Sequence, residues 1–506
     1  MQEVELKFQV PVTARSAVQR AVSTSAAKVT RLRARYFDTA DRRLAAAGLS
    51  LRLRQEGRVW TQTLKGARAG LAHRLEHELL LPPGPVSLDL HRHHGTAAAD
   101  ALRHALGADA PPLQQVFETD VRRTHRVLRS GNARVELALD IGQLRAGGQR
   151  LPIWELEFEL QHGTLSALVD LSSRWVQRHG LWLDVRSKAE RGDLLSRGLS
   201  VRPATGYRPP RLERGQPPDE ALRAMMAAAL GQALPNASAL AGGVGRPEHL
   251  HQLRVGLRRL RSVMQLFAMA DGADDMSRWN EALAALFRTL GVARDHDAMA
   301  ATLRTELPAL TAAGGPTWTP GPAAAPPDVG ALLREPGAVH LQLDLIGHAE
   351  GTAPQVMPAT METPDGKDAP DVEPLDIATV AARRLRRLHR RLSSSSARFM
   401  ELDTEQQHRL RRQIKRLRYA VEATQSLWPV KACQRYLEGL KPLQDALGLC
   451  NDLHVALSNL SAWPAADDAQ QGFMRGWLSA RHQQALCLAA QALQQWPSPL
   501  RAWRRR

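Results

Sequence analysis

The first strand-like segment of the chain carries two carboxylates and an ammonium group in alternation. Glu3, Glu5 and Lys7 alternate with Val4 and Leu6, and a β-strand points every second side chain to the same face. Two close carboxylates repel each other unless a cation lies between them, and their oxygens are ligands that Mg²⁺ and Mn²⁺ prefer. The spacing by itself is equally compatible with a metal site and with a solvated strand face.

The same alternation recurs along the first 200 residues, with one sign of charge on each segment. Any single segment resembles the solvated face of an antiparallel sheet. Together they favour a barrel with a charged interior, whose carboxylates hold metal ions and whose cations hold a polyanion, as phosphoryl transfer requires. The segments contain Glu76 and Glu78; Glu136 and Asp140; Glu155, Glu157 and Glu159; Arg52 and Arg54; and Lys65.

Composition restricts the class of partner and the location. The 506 residues include 68 Lys and Arg against 51 Asp and Glu, a net charge of +17, which predicts an anionic partner. Aromatic residues make up only 5% of the chain, which argues against a nucleic-acid partner bound by base stacking. Three cysteines are too few for a disulfide framework. With no signal peptide and no long apolar span, the sequence predicts a cytoplasmic protein without a membrane partner.

Two changes in pattern divide the chain. Residues 1–202 alternate with the period of a strand, and the proline-rich residues 203–218 are a predicted linker. Residues 219–500 have the apolar spacing of helices. A stretch rich in Pro, Ala, Gly and Asp, 308–376, interrupts them and is predicted to be a low-complexity, disordered insertion.

The helical half contains an internal repeat. The pattern that begins at His251 recurs 157 residues later at His408, and a Leu-Gly motif downstream of each copy shows the same offset. Two motifs displaced by the same distance indicate a duplicated helical unit, with copies at about 219–307 and 377–500.

Each copy also carries a basic stripe along one helix face. Its side chains recur at i, i+3, i+7 and i+10. The first stripe has no interspersed Glu to relieve the repulsion, which favours an anion-binding surface over a solvated face. The stripes are His251, Arg254, Arg258 and Arg261, and His408, Arg411, Lys415 and Arg418.

The first 195 residues resemble the CYTH, or triphosphate tunnel metalloenzyme, superfamily. Glu3-Val-Glu5-Leu-Lys7 is similar to its ExExK signature, and further similarity includes 35–39, 48–54, 119–123 and 187–190. The resemblance implies an α+β chain that begins with an eight-stranded antiparallel β tunnel or barrel with flanking helices. It also implies an enzyme that hydrolyses a triphosphate with Mg²⁺ or Mn²⁺.

The resemblance further implies roles for single residues. Glu5 and Lys7 would be catalytic, and which group activates the attacking water stays open. The metal ligands would be Glu3, Glu5, Asp140, Glu155 and Glu157, with Glu159 as an adjacent candidate. The triphosphate would be bound by Lys7, Arg52, Arg54, Lys65, Arg123 and Lys188.

Residues from about 212 to 500 resemble the CHAD domain, an all-α, duplicated antiparallel helical bundle rich in His, Arg and Lys. The similarity lies in His251–Ser262 and Leu290–Asp297, and again in His408–Tyr419 and Leu447–Asp452. It implies that the two basic stripes bind inorganic polyphosphate, and it implies no catalytic role.

The predicted function is therefore metal-dependent hydrolysis of inorganic triphosphate to pyrophosphate and phosphate, beside a helical domain that binds polyphosphate. One alternative is another activity of the same fold: a nucleoside or thiamine triphosphatase, or an adenylate cyclase. A second is a noncatalytic polyphosphate-binding protein, against which the carboxylates argue, since binding a polyanion requires no ring of Glu. Nucleic-acid binding is a third and weaker alternative.

Overall fold

A computed structural model describes residues 2–68, 70–268, 274–291, 328–351, 376–460 and 468–503. The chain divides into two compact units. The first comprises the described residues up to 206 together with 230–253 and 329–351, and the second comprises the other described residues. Part of the region predicted as helical domain therefore belongs to the first unit.

The first unit is built on one antiparallel sheet, which has nine strands among the described residues. The strands are β1 (Gln2–Gln9), β2 (Lys28–Asp38), β3 (Ser50–Glu56), β4 (Val59–Arg68), β5 (His73–Leu80), β6 (Gln114–Ser130), β7 (Ala133–Ala146), β8 (Gln149–His162) and β9 (Trp182–Leu183).

The sheet closes on itself. Its order is β5-β4-β3-β2-β6-β7-β8-β1-β9, and β1 also pairs with β5. Because β1 pairs with β8 and with β5, eight strands form a ring, and the two-residue β9 lies beside β1 as a ninth. The predicted eight-stranded tunnel is confirmed, while the sheet as a whole has nine strands instead of eight.

The first unit has buried hydrophobic clusters on both sides of this ring. One includes residues of β2 and β6 that face the interior, and another lies outside, beneath a flanking helix. Leu51 on β3 and Leu64 on β4 are fully buried and pack with Leu102 of a flanking helix. Their strand neighbours Arg52 and Lys65 point to the opposite face, because side chains alternate along a strand. On β3 and β4 the period-2 pattern thus places the charged residues inside the ring and the apolar ones beneath the helix.

Fourteen α-helices lie among the described residues, and α6 and α7 contribute to both units. They are α1 (Arg15–Val22), α2 (Arg43–Ala46), α3 (Ala97–Leu106), α4 (Leu165–His179), α5 (Lys188–Ser196), α6 (Pro218–Ala241), α7 (Pro247–Phe267), α8 (274–291), α9 (Val329–Arg334), α10 (Pro336–Glu350), α11 (Ile377–Ala397), α12 (Thr404–Ala423), α13 (Val430–Asn459) and α14 (Asp468–Gln494).

Two of these helices lie where the sequence predicts disorder. α9 and α10 fall inside 308–376, and Val339, Leu343 and Ile346 of α10 are buried. The predicted disorder is therefore wrong for 329–350. A helix that is buried on several faces has no single apolar stripe, so its sequence lacks the helical period. Most of the rest of 308–376 lies outside the described residues.

The second unit is mostly helical. The apolar residues beside the second basic stripe, Leu410, Ile414 and Leu417, are buried, as α12 requires for packing. A capping box at Asp403 and Gln406 begins this helix. No helix in the described part of the chain has both the length and the apolar character to cross a bilayer.

Candidate active site

The interior of the closed sheet is a charged cavity of about 740 Å³. Residues from all eight strands of the ring, β1 to β8, and from the start of α5 line it. It brings together every residue predicted for the tunnel except Glu155, namely Glu3, Glu5, Lys7, Arg52, Arg54, Lys65, Arg123, Asp140, Glu157, Glu159 and Lys188.

Three glutamates stand side by side across three neighbouring strands of this cavity. Glu159 on β8 is directly opposite Glu5 on β1 and directly opposite Glu136 on β7. Like charges directly opposite each other destabilise a sheet. Within the described residues, the Glu159 carboxylate makes no hydrogen bond or ion pair, while Glu5 lies 3.7 Å from the Lys7 ammonium. We call these three residues the acidic row.

Burial and repulsion from neighbouring carboxylates make Glu159 costly to ionise. Burial raises the pKa of Glu159 to about 7, and the carboxylates of Glu3, Glu136 and Glu5 add to the rise while Lys65 opposes it. Burial also raises the pKa of Glu3, against the attraction of Lys65. Glu159 therefore holds a proton near neutral pH unless another cation takes its place.

The raised pKa of Glu159 predicts how stability depends on pH without metal. The folded protein keeps a proton on Glu159 up to about pH 7, whereas the unfolded chain releases it near 4.5. The free energy of unfolding should therefore fall as pH rises from about 4.5 to about 7. Thermal unfolding in EDTA across this range should show the fall, and Glu159→Gln should flatten it. Equal slopes for both proteins would contradict the assignment.

A second group of carboxylates is already paired with cations. Lys188 Nζ lies 2.8 Å from Asp140, 2.6 Å from Glu155 and 2.7 Å from Glu157. Arg123 donates to both oxygens of Asp140 at 2.7 Å and also contacts Glu157. Burial would raise the pKa of Asp140, but Arg123 and Lys188 outweigh it and the pKa is lowered. We call these five residues the ion-pair cage.

The position of Lys188 follows from the start of α5. Lys188 is the first residue of that helix, and the Ser187 side chain caps it by accepting from the Glu190 backbone N–H. The cap fixes where the helix begins and so directs the ammonium group into the cavity.

In the second unit, arginines from both copies of the repeat come together. Burial lowers the pKa of Arg261 on α7, and repulsion from Arg416, Arg288, Arg258 and Arg412 lowers it further. Arg412 and Arg416 belong to α12, in the second copy. Arg412 also pairs with Glu405 at 2.9 Å. Cations that repel one another are stabilised by a bound anion. We call these five arginines the arginine cluster.

Both halves of the chain match known families. Residues 1–192 match the CYTH domain family, and residues 224–461 match the CHAD domain family. The chain is a CYTH domain followed by a CHAD domain.

The two domains have relatives of known description. An inorganic triphosphatase of Haemophilus influenzae is 33% identical over 165 residues, which cover 32% of this chain and 44% of that protein. The chain thus matches less than half of that relative's length. The crystal structure of a CHAD domain from the plant Ricinus communis is 29% identical, covers 57% of this chain and 96% of that chain, and has a TM-score of 0.41. A putative adenylyl cyclase from Hippeastrum, described as having a dominant triphosphatase activity, is 16% identical, covers 39% and 97%, and has a TM-score of 0.28.

The CYTH domain implies a divalent metal, and the acidic row fits one. Glu5, Glu159 and Glu136 offer the hard oxygen ligands that Mg²⁺ and Mn²⁺ bind, and their repulsion would be relieved by a divalent cation. As the side chains stand, no group of three or more His, Cys, Asp or Glu among the described residues is arranged around one point that could hold an ion. Metal binding would therefore require the three carboxylates of the acidic row to converge on one point of the cavity.

Glu155, a predicted metal ligand, is on the same strand face as Glu157 but does not line the cavity. It is fully buried, and Lys188, Arg191 and Gln9 contact its carboxylate. Glu155 therefore belongs to the ion-pair cage, where its contact is with Lys188 and not with the open cavity.

The sequence pattern places Glu76, Glu78 and Glu136 in the charged interior but assigns them no role in binding metal or phosphate. Glu76 and Glu78 hold three of the predicted phosphate-binding cations, with Lys65 at 2.9 Å, Arg54 at 2.9 Å and Arg52 at 3.7 Å. Their alternation on β5 was the available signal, as it was for Glu136 on β7. Tyr36, also in the cavity, accepts a hydrogen bond of 3.3 Å from Arg52.

The predicted polyphosphate-binding residues of the CHAD domain are more enclosed than a surface stripe. Arg254 is buried, and both Arg254 and Arg258 lie over the Phe287 ring, at 4.5 and 4.9 Å. Arg418 pairs with Glu422 at 2.7 Å. His251, Arg261, His408, Arg411 and Lys415 are half-buried.

Two further predicted features are the second basic stripe and the Leu-Gly motif that follows the first stripe. His408 and Arg411 line a small cavity together with His454 and His482. Residues 292–297, which end the predicted Leu290–Asp297 motif, lie outside the described residues.

Proposed function

We propose that the CYTH domain hydrolyses inorganic triphosphate with a divalent metal ion. The observation that carries this proposal is the charge of the cavity. Nine carboxylates and six Lys or Arg side chains line it, so it has too many negative charges to accept a polyanion until cations bind. A site that only gripped a polyanion would have the opposite excess.

The proposal gives the two sides of the cavity different tasks. The acidic row, with Glu3, would hold the metal, while Lys65, Arg52 and Arg54 would exchange Glu3, Glu76 and Glu78 for phosphate oxygens. When bound, a divalent ion neutralises phosphate charge and lowers the pKa of a coordinated water. Lys7, 6% exposed and 3.7 Å from Glu5, would stabilise charge on the phosphoryl group under attack.

Phosphate release from three substrates tests this function. Purified full-length protein is given inorganic triphosphate, ATP or long-chain polyphosphate, each with Mg²⁺, with Mn²⁺ or with EDTA. We expect release from triphosphate with either metal and none in EDTA. Faster release from ATP would indicate a nucleoside triphosphatase, and cyclic AMP with pyrophosphate would indicate a cyclase. No release from any substrate, with polyphosphate still bound, would overturn the proposal.

We also infer that the CHAD domain binds inorganic polyphosphate at the arginine cluster. The mutual repulsion around Arg261 supports this, because a polyanion would offset it.

Removing two cluster arginines should weaken polyphosphate binding. Arg288→Ala combined with Arg416→Ala should raise the Kd by at least about tenfold, since one hydrogen bond to a charged group is worth about 1.5–3 kcal/mol. Titration calorimetry with long-chain polyphosphate measures this, and a salt series should show a shallower dependence. Arg398→Ala is the control, because Arg398 is exposed and paired with Glu401 at 2.6 Å. Equal affinity in the double variant and the control would contradict the inference.

A further inference from the structure

Helix α10 of the first unit ends at the seam that closes the CYTH tunnel. The helix lies within the CHAD match, between the two repeats, yet it packs on α4 of the CYTH domain. His340 contacts the Ser173 carbonyl at 3.0 Å, and Gly347 lies against Val169. Its last residue, Glu350, has a side chain only 6% exposed.

The Glu350 carboxylate holds the turn that leads into β5. It accepts hydrogen bonds from the backbone N–H groups of Leu71 and of Ala72, the latter at 2.9 Å, and lies 2.7 Å from His73 Nδ1. A Cβ added at Gly70 would overlap this carboxylate, so glycine permits the close approach. A buried acceptor with several donors is a built contact, since the N–H groups would otherwise be unsatisfied.

This turn is joined directly to the predicted metal ligands. The Ala72 carbonyl accepts from the Glu5 backbone N–H at 3.1 Å, and Glu3 pairs with Arg74 on β5. The seam between β1 and β5 is only three residue pairs long, whereas β1 and β8 share five. The closure of the tunnel beside Glu3 and Glu5 is therefore the shortest pairing of the ring, and Glu350 supports it from outside.

We propose that Glu350 is a positioning residue for the Glu3 and Glu5 carboxylates, and that α10 is a working part of the CYTH tunnel. The role of Glu350 in metal binding rests on the proposed function, whereas its role in holding the seam between β1 and β5 does not. A CYTH domain cut near residue 204 would lack this support, although the sequence alone suggests that such a fragment is complete.

Variants of the full-length chain test the proposal. Glu350→Ala should raise the Mg²⁺ concentration for half-maximal triphosphate hydrolysis by at least about tenfold, and should speed amide hydrogen exchange at Glu5 and Ala72 by a similar factor. Glu350→Gln, which keeps one acceptor oxygen, should fall between this variant and the wild type. Glu335→Ala is the control, because Glu335 is an exposed carboxylate at the other end of α10.

The readouts separate the possible failures. Unchanged exchange at Glu5 in Glu350→Ala would overturn the positioning role, whatever the activity. Faster exchange with an unchanged Mg²⁺ requirement would show that Glu350 only stabilises the fold, and this result would also overturn the positioning role. If the wild type hydrolyses nothing, the proposed function fails, and Mn²⁺ titration calorimetry with hydrogen exchange on the same variants still decides the role of Glu350.

Discussion

Glu5→Gln is expected to reduce metal-dependent triphosphate hydrolysis at least about a hundredfold, the scale on which one preorganised electrostatic group contributes to catalysis. Glutamine keeps the shape of the side chain but removes the charge that a divalent cation needs. Because Glu5 stands directly opposite Glu159, the change also removes one repulsion in the acidic row. The metal-free variant should therefore unfold at the same temperature as the wild type or at a higher one.

The informative result is a loss of activity without a loss of stability. Activity is measured as kcat at saturating Mg²⁺, and stability is measured by thermal unfolding in EDTA. Glu118→Gln is a matched control. Glu118 is a half-exposed carboxylate that does not line the cavity, and it lies 3.5 Å from Arg145. Full activity in Glu5→Gln would show that the metal does not bind at the acidic row.

The sequence predicts which residues share the tunnel face, but not which of them touch. Alternation on β1, β7 and β8 is local, so the inward set can be read from each strand alone. The alignment of Glu5, Glu159 and Glu136 depends on the register between strands far apart in the chain, which closure of the sheet decides. For that reason the sequence predicts that Glu136 alternates onto the charged face but does not predict it as a metal ligand.

Other differences have the same origin in long-range packing. Nothing local indicates that Lys188 sits among three carboxylates, because α5 reaches the cavity only in the folded unit. Arg254 has the spacing of an exposed stripe, and its burial over Phe287 comes from α8. Helix α10 is not predicted from the sequence because its flanks are rich in proline and alanine and because its burial on several faces removes the helical period.

Lys188→Met is expected to destabilise the protein by about 3–5 kcal/mol, the usual cost of breaking a buried ion pair from one side. Methionine has a similar length, so the loss comes from charge. Asp140, Glu155 and Glu157 would keep their negative charges with only Arg123 and Arg191 against them. Urea unfolding at neutral pH measures the change, and Lys28→Met, at an exposed lysine of β2, should leave stability nearly unaltered.

A second substitution distinguishes two possible roles of the Lys188 ammonium group, as a structural partner of the carboxylates or as a ligand of the substrate. If Lys188 serves the ion-pair cage, adding Asp140→Asn to Lys188→Met should restore part of the stability, since one unpaired charge is removed. A phosphate ligand without structural importance would instead raise the KM for triphosphate and leave the unfolding curve in place. Because Lys188 lies within 2.8 Å of three carboxylates, we expect the stability loss to be the larger effect, and added Mg²⁺ to reduce it by occupying the vacated position.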